Sequence, residues 1–130
     1  MAEKCIITAA LTGGGTRKEM NPAVPYTAEE IAKDAVLCAR AGAAIIHIHV
    51  RNEEGKQVND VALFKAAKEQ TEDALKKAGL DAIINLSTGG FYTPDDVRIA
   101  PVKELNLKCV PITLAPLTGE TGYILTPLII

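Results

Sequence analysis

The chain lacks most of the features that would assign it at a glance. Its 14 Lys and Arg stand against 16 Asp and Glu, a net charge of −2, so no basic field draws it to nucleic acid. No apolar run approaches the roughly 20 residues that a membrane helix needs. Met1-Ala2-Glu3-Lys4 has neither the basic start nor the long apolar core of a signal peptide. The three cysteines, Cys5, Cys38 and Cys109, are odd in number and widely spaced. That argues against a disulfide framework or a CxxC metal site, and for reduced thiols in a cytoplasmic setting. What remains is 130 residues, 48% apolar and 23% charged, the composition of one modest globular domain.

Apolar runs and helical periods alternate along the chain. Cys5 to Leu11 reads as a first strand, and a loop rich in Gly, Thr and Pro runs from Thr12 to Tyr26. Thr27-Ala28-Glu29-Glu30 is a capping box that opens a first helix. Ile31, Ala35, Cys38 and Ala39 keep its apolar spacing, and Gly42 serves as its C-cap. A second strand spans Ala43 to Arg51, and a polar turn follows at Asn52 to Gly55. A second helix runs from about Asn59 to Ala78 and stops at Gly79. A third strand, Ala82 to Ser87, leads through Thr88-Gly89-Gly90 to a third helix capped at Thr93, with Pro94 in its first turn and Asp95 and Asp96 for its dipole. Continuous apolar strands alternating with helices predict an α/β fold with a parallel sheet. Functional loops in such folds lie at the C-terminal ends of strands.

Chemistry concentrates there. His47 and His49 flank Ile48 at the end of the second strand, and with Arg51 they share one face. Two neighbouring imidazoles in a core are costly unless satisfied. A divalent metal ion such as zinc satisfies both, and a catalytic site would need a third ligand and an open position. Arg51 would either grip a carboxylate through a two-pronged contact or close a surface salt bridge. Ser87-Thr88-Gly89-Gly90 offers hydroxyls and amides to an anionic oxygen at the same strand ends. Gly13-Gly14-Gly15 lacks both the Lys-Ser/Thr of a P-loop and the spacing of a dinucleotide fingerprint, and reads equally as a turn or an anion cradle. Glu19 reads by default as a solvated loop acid, and Cys38 as a core residue.

Several segments, in order, resemble one family. Ile7 to Gly13, Lys18 to Thr27, Ala43 to Arg51 with its His-Ile-His-Val-Arg, and Ser87 to Gly90 look like the β-keto acid cleavage enzymes, over roughly residues 4 to 105. The resemblance implies the N-terminal part of a (β/α)8 TIM barrel, about three βα units. It implies a zinc-type ion held by His47 and His49, and a substrate held by Ser87 with Thr88, Gly89 and Arg51 nearby. The implied reaction condenses a β-keto acid, such as 3-keto-5-aminohexanoate, with acetyl-CoA to give acetoacetate and a new CoA thioester. Gly15 stands where some members with amino-bearing substrates carry an acid. The full-length family also implies a homo-oligomer. Two alternatives stay open on the residues alone: a metal-dependent hydrolase of the HxH type, and a non-catalytic domain that binds a metal or an anion.

The last stretch departs from the pattern. Of 30 charged residues only Lys108 and Glu120 lie in the last 25 positions, and Pro111, Pro116 and Pro127 interrupt it. Residues 1–105 are therefore read as barrel and 106–130 as an atypical tail, with a short strand at Cys109 to Leu114 at most. Where the family would carry Lys-Pro-Glu-Met and then Asn-x-Gly-Thr, the chain reads Asn106-Leu107-Lys108-Cys109. One choice of codons for residues 106–119, with a single adenine restored, reads Lys-Pro-Glu-Met-Cys-Ser-Tyr-Asn-Ala-Gly-Thr-Ile-Asn-Trp. The hypothesis is a frameshift after Leu105, which resequencing the coding DNA tests. A full barrel takes about 250 residues. The family's third ligand, a glutamate, and its catalytic Arg and Asp are expected beyond these residues, leaving this chain without turnover.

Overall fold

The computed structural model describes residues 5–90, 93–107, 109–112 and 126–129. The tail between 112 and 126, including the end of the strand expected at Cys109 to Leu114, lies outside the described residues.

Among the described residues seven strands and three helices form, and the expected strand–helix alternation is interrupted by one hairpin. Strands β1 (Thr8–Ala10), β2 (Ile45–Ile48), β5 (Ile83–Leu86) and β6 (Cys109–Ile112) run parallel, and β7 (Thr126–Ile129) closes the row antiparallel to β6. The sheet order is β1-β2-β5-β6-β7. Between β2 and α2 (Val61–Lys77), β3 (Val50–Arg51) and β4 (Gln57–Val58) make a small antiparallel hairpin. Helix α1 (Ala28–Arg40) follows β1, and α3 (Asp95–Glu104) follows β5.

The helix signals largely act as their chemistry dictates. Thr27 Oγ1 accepts from Glu30 N at 3.1 Å, and the Glu30 carboxylate accepts from Thr27 N at 3.0 Å, so the capping box satisfies amides that a helix start leaves bare. Gly42 takes φ 103° one residue past the C-cap Ala41, and Gly79 takes φ 67° past Ala78, a conformation open to glycine. Asp60 caps α2, accepting from Leu63 N at 2.9 Å. One cap differs from expectation. Pro94 rather than Thr93 takes the N-cap of α3, with no side-chain bond, because its backbone (φ −55°, ψ 145°) is extended and begins the helix only at Asp95.

The second strand is not one run. It breaks at His49, where Thr12 Oγ1 accepts from His49 N at 3.0 Å and donates to His49 O at 3.1 Å. One hydroxyl thus stands in for a neighbouring strand. Past that point the turn at Asn52–Gly55 folds the chain back into the hairpin, and Gly55 is required there. It takes φ 74°, and a Cβ would meet Tyr26 Cε2 at 2.9 Å.

Helices α1 and α2 bury one face of the sheet. Ile31 and Ala35 of α1, Phe64 and Ala67 of α2, and Ile46, Ile48, Ile84 and Leu86 of the strands form the core, with Val50 and Ala43. Each large aliphatic side chain there contributes about 1.5–3 kcal/mol by leaving water. The opposite face is less covered. In register across it stand Thr8, Ile45 and Ile83, then Ala10, His47 and Asn85. Thr8, Ala10 and Ile83 are exposed. Parallel sheets are ordinarily covered on both faces, and β1 and β5 depart from that.

A candidate metal centre at the strand ends

The second of these rows carries the chemistry. Parallel pairing sets His47 beside Asn85, and His47 Nδ1 is hydrogen-bonded to Asn85 Oδ1. His49 lies beyond the end of β2, yet its ring returns to the same place. The two Nε2 atoms are 3.1 Å apart and the rings meet edge to face with centroids 4.9 Å apart. The spacing of the two histidines thus achieves the convergence it implied, although His49 itself is outside the strand.

Burial pushes His49 down to about 4, and the neighbouring His47 and Arg51 push the same way, while Gln57 beside it pulls back. The ring is therefore neutral at neutral pH, the form that ligates metals. Two imidazoles converging through Nε2 fit two positions around one divalent ion. Among the described residues no group of three His, Cys, Asp or Glu is placed to hold a metal.

The loops around the pair are tied to one another. Gln57 Nε2 donates to Gly89 O at 3.0 Å, and a Cβ on Gly14 would sit 2.5 Å from Gln57 Oε1 and 3.7 Å from His49 Cε1. The glycine run, the hairpin, His49 and the Ser87–Gly90 turn thus meet around one side chain. Ser87 and Thr88 are buried. Ser87 Oγ accepts from Gly89 N at 3.0 Å, shaping its own turn, and Ser87 N donates to Ile48 O at 2.9 Å. Arg98 Nε holds Thr88 O at 2.9 Å.

Arg51 is buried rather than placed in a surface salt bridge. It is 6% exposed. Its Nη2 donates to Thr16 O at 2.7 Å, Gly13 O at 3.0 Å and Thr12 O at 3.3 Å, and its Nη1 to Gly55 O at 3.0 Å. Its guanidinium lies over the Tyr26 ring. The terminal nitrogens thus bind loop carbonyls rather than a surface acid. Five donors in a planar fork suit that task, and a lysine could not copy it. Glu19 is exposed, and Cys38 packs half-buried against the core, as expected of each.

Three residues of this site were not singled out from the sequence: Thr12, Gln57 and Asn85. Asn85 alone had a local signal, a lone amide within Ile-Ile-Asn-Leu two positions before Ser87, on the same face of its strand. Thr12 and Gln57 had none, since their roles depend on loops meeting in space.

An α/β chain with a polar, histidine-bearing cluster at its strand ends defines a class of candidate enzymes, and comparison with known proteins narrows it. The chain matches the profile of the beta-keto acid cleavage enzymes over residues 4–123, and it belongs to that family. The match runs beyond Leu105, where the family-like motifs stop. It is similar to the 3-keto-5-aminohexanoate cleavage enzyme of Fusobacterium nucleatum, 45% identical over 104 residues that cover 79% of this chain and 37% of the relative. The enzyme of the same name from Acetoanaerobium sticklandii is 46% identical over 101 residues, 77% of this chain and 36% of the relative. The 3,5-dioxohexanoate:acetyl-CoA acetone transferase of Paraburkholderia graminis is 41% identical over 88 residues, 67% of this chain and 27% of the relative. The chain thus spans little more than a third of the length of the curated relatives it matches. Among the described residues no helix is long and apolar enough to cross a membrane.

Proposed function

We propose that this chain carries the metal- and substrate-binding strand ends of a β-keto acid cleavage enzyme, built as the first part of a TIM barrel. The reaction joins a β-keto acid and acetyl-CoA to give acetoacetate and a new CoA thioester. The observation that carries this is the meeting of His47 Nε2 and His49 Nε2 at 3.1 Å beside the Ser87–Gly89 turn, in a chain of this family. His47 and His49 hold a zinc-type ion. When bound, such an ion supplies a Lewis acid for the β-keto and carboxylate oxygens, stabilising enolate charge as the C–C bond breaks or forms. Ser87 and Thr88 present hydroxyl groups to the substrate's anionic oxygens, and Gly89, whose N–H donates to Ser87 Oγ, holds their turn in shape. Arg51 serves them indirectly, by fixing the glycine loop and the hairpin. The names of the relatives share a β-keto acid or acetyl-CoA chemistry and differ in the group carried beyond it. The substrate class is accordingly β-keto acids.

With only two ligands among the described residues, the 130-residue chain binds metal weakly and turns nothing over. Zinc titration of the purified chain is expected to show weak uptake that disappears in the His47→Ala, His49→Ala double variant, with no acetyl-CoA-dependent acetoacetate. Zinc uptake that survives loss of both histidines would overturn the site. Acetoacetate formation by the wild-type chain would overturn the inactivity.

A further inference from the structure

We propose that Asn85 is the positioning residue of the metal site, setting which nitrogen of His47 is free to bind. The proposal rests on the reading that His47 and His49 hold a divalent ion.

Asn85 is 5% exposed and pairs with His47 across the β2–β5 ladder, so both side chains leave the same face at the same level. The Asn85 atom that meets His47 Nδ1 is the amide oxygen, Oδ1. A carbonyl oxygen only accepts. His47 Nδ1 must therefore carry the hydrogen, and in the neutral ring Nε2 keeps a lone pair. That same Nε2 is the atom facing His49 at 3.1 Å. A hydrogen bond on one ring nitrogen thus decides the chemistry of the other, and it holds the ring plane so that the lone pair points at the shared position.

The parallel register makes this hold stiff. The neighbouring pairs Ile46–Ile84 and Ile48–Leu86 are buried in the core, so neither strand can slide to release the contact. With the acceptor removed, the ring can turn or carry its hydrogen on Nε2, and either change spoils it as a ligand.

Two variants of the full chain test this. Asn85→Leu removes the acceptor at similar volume, and Asn85→Asp keeps an oxygen in its place. The His47 tautomer is read in metal-free protein from the 15N shifts of its ring at about pH 8, above the ordinary imidazole range. Zinc affinity is read by competition with a chromophoric chelator. The wild type is expected to hold the Nδ1–H form. Asn85→Leu is expected to mix tautomers and lose roughly 10- to 100-fold in zinc affinity, and Asn85→Asp to keep the Nδ1–H form and bind zinc. An Asn85→Leu protein with an unchanged His47 tautomer and unchanged affinity overturns the proposal. If Asn85→Leu does not fold, a mixed tautomer in Asn85→Asp overturns it. A wild type that takes up no zinc overturns the metal reading instead, while the tautomer result still decides whether Asn85 governs the ring.

Discussion

Thr12 shows how much can rest on one hydroxyl. It is 3% exposed and serves both backbone groups of His49 at the point where the strand ends. Thr12→Val keeps the shape and leaves the His49 N–H and C=O unserved, a loss of about 1–3 kcal/mol. A drop of that size in the urea unfolding free energy is the expected result, and an unchanged value would show that water replaces the hydroxyl. Glu30 offers a test by pH. The Lys18 ammonium and the amides of Thr27 and Tyr26 hold its carboxyl down to about 2 from an ordinary 4.5. A depressed carboxylate stabilises the fold above its unfolded value, and that contribution fades as pH falls through the folded one. The wild type is thus expected to be more stable than Glu30→Gln above about pH 4.5, and the gap to close as pH falls toward 2. Because the side chain is 42% exposed, solvent keeps the effect modest. Unfolding midpoints of the two proteins across that range measure it.

At the scale of elements, the parts written in local chemistry were legible. The capping box at Thr27, the stop at Gly79 and the apolar runs around Ile46 and Ile84 each depend on neighbours within a turn or two. Helix and strand order followed from them. The breaks in the pattern were not legible. Nothing local to Ala43–Arg51 shows that the strand ends at His49, because the group that ends it lies 37 positions away. The pairing of Asn85 with His47 depends on register, which one strand alone does not encode. Arg51 was read by its charge, whereas its planar donor fork and the carbonyls of residues 12–16 determine where it goes. The strand Thr126–Ile129 was missed for a similar reason, since Pro127 argues against a strand until an edge position is available to it.

At the scale of the whole molecule, the sheet is covered by helices on one side and bears Thr8, Ile45 and Ile83 on the other. Ile6 is 67% exposed and Ile83 41%. Strand β1 has β2 on one flank and, among the described residues, no strand on the other. In a closed barrel such a face would be interior and such an edge would be paired. The isolated chain is therefore expected to self-associate as its concentration rises, and Ile83→Lys to weaken that association in sedimentation velocity. A chain that stays monomeric at high concentration would argue that the face is satisfied in another way.

The break at His49 has a mechanical side. His47 belongs to the five-stranded sheet, whereas His49 sits at the joint from which the β3–β4 hairpin swings out. An ion gripping both rings would also be a rivet across that joint, fastening one sheet to the other. Occupancy should then be audible far from the rings. Backbone amide exchange across Val50–Val58 is expected to slow on zinc addition in the wild type and to stay unchanged in His49→Ala, since the loss of one ring removes the bridge.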